Sequence, residues 1–127
     1  MSDFDLSPYQ ILCLEHEDTS LYGEVIQIIV ERKLCWLRPL ALLRREPQDP
    51  ENIETFYDLR QSADLLYPVS LFRVAIDTEV LPILTRLERP KNGQNPIAAL
   101  EDDQMMHQQL HSFIRQIWRA RPEAFQR

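Results

Sequence analysis

Two stretches of the chain, Leu21–Glu31 (LYGEVIQIIVE) and Leu34–Arg44 (LCWLRPLALLR), are rich in leucine and β-branched residues, and only Glu31-Arg32-Lys33 interrupts them. Such a pair reads as a long β-hairpin. A two-residue loop at Arg32-Lys33 sets Ile29 opposite Trp36, Gln27 opposite Arg38 and Val25 opposite Leu40 on one face. The reverse face then pairs Val30 with Cys35, Ile28 with Leu37 and Ile26 with Pro39. Both faces are apolar near the turn, unlike a sheet with one wet side. One face is expected to meet the protein's own helices, and the other needs cover from the chain or from a partner. Pro39 has no N–H to give to a ladder, so its strand must lie at an edge or carry a bulge there.

The remaining segments build an α+β fold around this hairpin. Tyr9–Glu17 reads as a first strand closed by a turn at Glu17-Asp18-Thr19-Ser20, and Phe56, Tyr57 and Leu59 suit a further short strand. Gln61–Leu66 suits a turn of helix, closed by Pro68. Residues 46–54 and 89–100, rich in proline and polar side chains, read as loops. Apolar residues recur at three and four positions over 69–88, with a break expected near Asp77–Leu81, where Pro82 follows. Over 101–121 a stripe of Met106, Leu110, Phe113, Ile114, Ile117 and Trp118 marks the last helix, with acid in its first turn and arginine in its last. The expectation is an N-terminal antiparallel sheet of three to four strands, closed into a small barrel in one version, packed with C-terminal helices in a single domain spanning 1–127.

Composition narrows the function. Twenty acidic against fourteen basic residues give a net charge of -6, which disfavours nucleic acid as a partner. Two glycines, Gly23 and Gly93, weigh against a glycine-rich phosphate loop. No apolar run approaches the roughly 20 residues of a transmembrane segment. The acidic start, Met1-Ser2-Asp3-Phe4-Asp5, lacks the pattern of a secretory signal, and Cys13 and Cys35 read as buried thiols, so the expected compartment is cytoplasmic.

Few residues form a constellation with chemistry in it. His107 and His111, four apart, lie on one helical face with Asp103 a turn earlier, a spacing that zinc accepts. Cys13 and His16 are separated by an odd number of positions and point to opposite faces of a strand, so no nucleophile and base pair there. No catalytic residue and no cofactor is assigned. Arginine outnumbers lysine twelve to two. Arg38, Arg60 and Arg73 sit in apolar surroundings and are expected to pair with Asp58, Asp64, Asp77 or Glu79. Trp36 and Trp118 lie on apolar stripes and are expected to meet in the core. With Arg38, Pro39, Arg119, Arg121 and Phe125 they are also the candidate partner-binding residues, because arginine and aromatics anchor interfaces. The arginine-rich C-terminal end suits an acidic partner, or anionic lipid at a membrane surface.

The segments Leu21–Leu43 and Asp58–Leu84 resemble those of small uncharacterised proteins found in cyanobacteria. That resemblance attaches no activity and implies a cytosolic or thylakoid-facing accessory or assembly role. The leading expectation is a non-enzymatic interaction protein that binds a protein partner, or itself as a homo-oligomer, through the apolar hairpin and the arginine-rich end. A small metal-binding protein or enzyme using Asp103, His107 and His111 is the alternative, and an RNA-binding small barrel the second alternative.

Overall fold

In the computed structural model the chain is described over residues 10–88 and 96–125, with side chains over 10–88 and 104–125. Six strands form one sheet: β1 (Ile11–His16), β2 (Thr19–Ile29), β3 (Leu34–Glu46), β4 (Asp49–Asp58), β5 (Leu65–Pro68) and β6 (Arg73–Val74). They run in the order β4-β3-β2-β1-β6, and β5 pairs with the far half of β3. Every pairing is antiparallel. Two helices follow, α1 (Asp77–Leu87) and α2 (Pro96–Ala120). The α+β class is as expected, but the sheet has six strands rather than three to four and does not close into a barrel.

The β2–β3 hairpin forms where its composition places it, in a different register. Ile29 pairs with Leu34, not Trp36, and the connection is a four-residue loop, Val30–Lys33. Its last residue, Lys33, takes the left-handed conformation at φ 57° and donates its N–H to the Val30 carbonyl. The tightest two-residue turns require positive φ at one or both central positions, which glycine and asparagine supply and Arg32-Lys33 do not. A longer loop confines that demand to one residue. The change of two positions leaves each side chain on the face already assigned near the turn.

Farther along, Tyr22 pairs with Ala41 but Gly23 with Pro39, so Leu40 is an extra residue in β3. Ile26 is extra in β2, between the Val25–Leu37 and Gln27–Trp36 pairs. Each bulge reverses the face that the following residues occupy. Pro39 sits at the first bulge, as its missing N–H demands. On its other side the neighbouring strand changes there too: β5 pairs with Leu34–Leu37 and β4 with Ala41–Glu46, while the Leu59 N–H reaches the Leu40 carbonyl.

Both faces of the hairpin are covered by the chain itself over much of their length. On one face Leu14, Leu21, Leu42 and Leu59 pack with Met106, Leu110, Phe113 and Ile117 of α2, and Phe72 joins them to Leu12, Val25, Cys35 and Leu37. On the other, Cys13, Tyr22, Ala41 and Leu43 pack with Ala75 and with Val80, Ile83 and Leu87 of α1. The reverse face beyond the bulges is open, and there Trp36 and Leu66 are exposed cross-strand neighbours.

Four segments depart from the sequence pattern. Residues 96–100, read as the end of a loop, are the first residues of α2. Residues 46–54 are not all loop: only Pro47-Gln48 turn, and β4 begins at Asp49, because the edge of β3 pairs even this solvated stretch. The helical period over 69–88 conceals a 3-10 turn at Val69–Leu71 and β6, which pairs with Leu12 and Cys13, so the helix occupies only 77–87. Leu65–Pro68 is strand rather than the end of a helical turn. No described helix is long and apolar enough to cross a membrane.

A Cβ placed on Gly23 would overlap the buried side chain of Leu37. Overpacking of this kind costs about 1–3 kcal/mol. Gly23→Ala should lower the urea midpoint accordingly. The combined loss in a Gly23→Ala/Leu37→Ala variant should fall short of the sum of the single losses, because the two side chains compete for one space.

Candidate functional site

An open groove of about 690 Å³ lies between β5 and α2. Its sheet wall is Leu65 and Tyr67, and its helix wall is His107, Gln108, Leu110, His111, Ile114, Arg115 and Trp118. Alternation along β5 turns Leu65 and Tyr67 to one side and Leu66 to the other. The helix contributes residues three and four apart, a continuous face next to the stripe of Met106, Leu110, Phe113 and Ile117 that is buried on the sheet.

The chain's last described residues close one end of this groove. A 3-10 turn at Pro122–Phe125 brings the Phe125 ring against Trp118, stacked at 3.8 Å between centroids and 13° between planes. Tyr67 meets the same ring edge-on at 6.0 Å. Arg121 extends a guanidinium N–H towards the Ser70 carbonyl at 3.4 Å. Trp118 and Trp36 therefore do not meet in the core. Trp118 is 50% exposed and Trp36 is 39% exposed, with the Trp36 indole N–H donated to Asp64 at 3.0 Å. Their stripes were wide enough to leave one margin uncovered.

The other sequence candidates separate. Pro39 is fully buried at its bulge, and Arg38 lies 4.0 Å from Asp64 beside Trp36. Arg119 is exposed on α2, one turn beyond Arg115. His107 and His111 both line the groove, while the side chain of Asp103 lies outside the described residues. Leu65, Ile114 and Arg115 join the groove without being among the candidate site residues. For Ile114 and Arg115 the sequence signal is a second α2 stripe one residue after the core stripe; Leu65 of β5 carries none.

The paired arginines lie elsewhere. Arg60 pairs with Asp58 at 2.8 Å and donates to the Leu87 carbonyl at the end of α1. Arg73 is held by Glu79 at 2.8 Å and by Glu15, and the Tyr22 hydroxyl donates to Glu79 at 2.6 Å, which ties the hairpin to the start of α1. Cys13, Glu15 and Glu79 place ligand atoms within 4.8 Å of one another. Both carboxylates already grip Arg73, and burial pushes the Cys13 thiol up to about 12, so neither a metal ligand set nor a thiolate nucleophile is ready there.

Hydrogen bonds from Arg73, then from Tyr22 and the Ile76 N–H, hold the Glu79 carboxyl down at about 2 against an ordinary 4.5. A carboxyl whose pKa falls on folding adds stability above its unfolded value and loses it as the pH drops through its folded value. Glu79→Gln should therefore lose about 2 kcal/mol at neutral pH. In urea unfolding followed against pH, the gap from the parent protein should narrow as pH falls from 4.5 towards 2.

Set beside known proteins, this chain matches no protein-family model, no curated protein and no solved structure.

Proposed function

We propose that the protein is a non-enzymatic interaction domain, an accessory or assembly factor that docks a partner protein in the groove between β5 and α2. The observation that carries this reading is the run of Leu65, Tyr67, Ile114 and Trp118 along that groove. These side chains continue the layer that buries Leu110, Phe113 and Ile117, and the described residues leave the groove above them open. Apolar clefts rimmed by polar groups are where proteins meet other molecules. Trp36 and Leu66, beside Arg38 on the open half of the hairpin, give a second apolar contact on the opposite side of β5.

The test pairs wild-type protein with Ile114→Arg, which places a charge in the groove at a half-buried position beside the buried stripe. Tagged wild-type protein should retain a partner from native extract, or show a second copy of itself by light scattering. Ile114→Arg should lose it with an unchanged circular dichroism spectrum. A monomeric wild-type protein that retains nothing, or an Ile114→Arg variant that retains the same species, overturns the reading.

A further inference from the structure

We infer that the segment taken by this groove is an acidic amphipathic helix of the partner protein, an assignment of partner class that rests on the docking reading above. The first observation is a ridge of histidine and arginine side chains. His107, His111, Arg115 and Arg119 follow one another at intervals of four along α2, and all four are exposed. The first three of them line the groove. From Gln104 to Arg121 the helix and its end contain no acidic residue, in a chain with twenty acidic residues and a net charge of -6. Glu123, in the 3-10 turn that follows, is the nearest acid on the C-terminal side. The groove's described lining contains no carboxylate either.

Contrast with the rest of the molecule sharpens the point. Arg38, Arg44, Arg60 and Arg73 each lie within 4.0 Å of an acidic side chain of this chain. The fold supplies carboxylates to these four arginines, and among the described residues none lines the groove around Arg115. A partner carrying glutamate or aspartate along one flank supplies them instead.

The second observation is the spacing of the apolar wall. Leu110, Ile114 and Trp118 stand four apart beside the charged ridge. This is the pattern of ridges into which a second helix packs, with apolar anchors three and four residues apart. From His107 to Trp118 the wall is about 17 Å long, or roughly three helical turns. The sheet side favours a helix over an added strand: β5 has only four residues and ends in Pro68, which has no N–H to share.

Three synthetic amphipathic helical peptides test this directly. They share one leucine and tryptophan face and carry glutamate, glutamine or lysine on the flanks. Labelled peptide anisotropy is read against full-length protein at low salt. The glutamate peptide should bind at least tenfold more tightly than the lysine peptide, with the glutamine peptide between them, and 0.5 M salt should compress the difference. Arg115→Glu, at an exposed position that leaves the core intact, should reverse the order. Equal binding of all three overturns the acidic assignment while the docking groove stands. Absence of binding by any peptide overturns the helical partner class, and the Ile114→Arg capture experiment decides the docking reading independently. A glutamate preference that survives unchanged in Arg115→Glu places the acidic site elsewhere and also overturns the inference.

Discussion

Ile26 and Leu40 oppose no residue across the β2–β3 ladder, and these extra positions determine which side chains reach which layer. Without the bulge at Leu40, a strict two-residue alternation would carry Leu37 and Leu43 to the same face. With it, Leu37 joins Leu12 and Val25, while Leu43 joins Tyr22 and Cys13 under α1. Leu42, the residue between, is delivered to α2. A single hairpin thus serves as the floor for two helices packed on opposite sides, which is why its composition is apolar on both faces. An extra residue also bends and twists a strand pair. Nearer the hairpin turn, Trp36 is exposed on the face opposite Cys35 and Leu37.

Charge is organised by the same division. On the α1 side, Tyr22, Glu15, Arg73 and Glu79 form a connected set of donors and acceptors linking three strands and a helix start. Glu79 also takes the Ile76 N–H, so one carboxylate satisfies a helix-terminal donor and anchors the arginine. Asp18, in the β1–β2 turn, binds the Arg44 side chain at 3.0 Å and accepts the Arg45 N–H through its carbonyl. On the α2 side the polar surface beside the core is built from histidine, glutamine and arginine. The two sides differ in kind: one binds its arginine with carboxylates of this chain, and the other presents arginines beside an exposed tryptophan.

The sequence was legible where neighbours along the chain decide the outcome. The paired apolar runs and the last helix follow from local pattern; Pro39 was restricted to an edge or a bulge, and Arg38, Arg60 and Arg73 find acids within the expected set of Asp58, Asp64, Asp77 and Glu79, whose individual pairings only the fold decides. What escaped was decided by residues distant in sequence. Asp49–Glu54 is polar and contains Pro50, yet becomes strand because β3 offers a ladder to it. Residues 69–76 share a helical period with α1, but Arg73 and Val74 are captured by Leu12 and Cys13 of β1. The groove was half visible: Ile114 and Trp118 stood in the apolar stripe of α2, and only the position of β5 shows that the core ends at Ile117 and Phe113. Phe125 was expected to contact another molecule, and its ring instead lies against Trp118 and Tyr67.

The division of β3's outer neighbour at Pro39 has a consequence for the behaviour of the sheet in a crowded solution. A long uninterrupted edge strand is a template on which other chains add and aggregate. Here the outer border is split between β4, with Asp49, Pro50, Glu51 and Glu54 along its exposed half, and the four residues of β5, ending in Pro68. On the opposite side β6, two residues long with Arg73 in it, covers Leu12 and Cys13 of β1, and past Val25 β2 has no ladder partner there among the described residues. Prolines, carboxylates and short lengths blunt the β4, β5 and β6 borders. The sheet can therefore expose aromatic side chains on its surface while offering little backbone for uncontrolled strand addition.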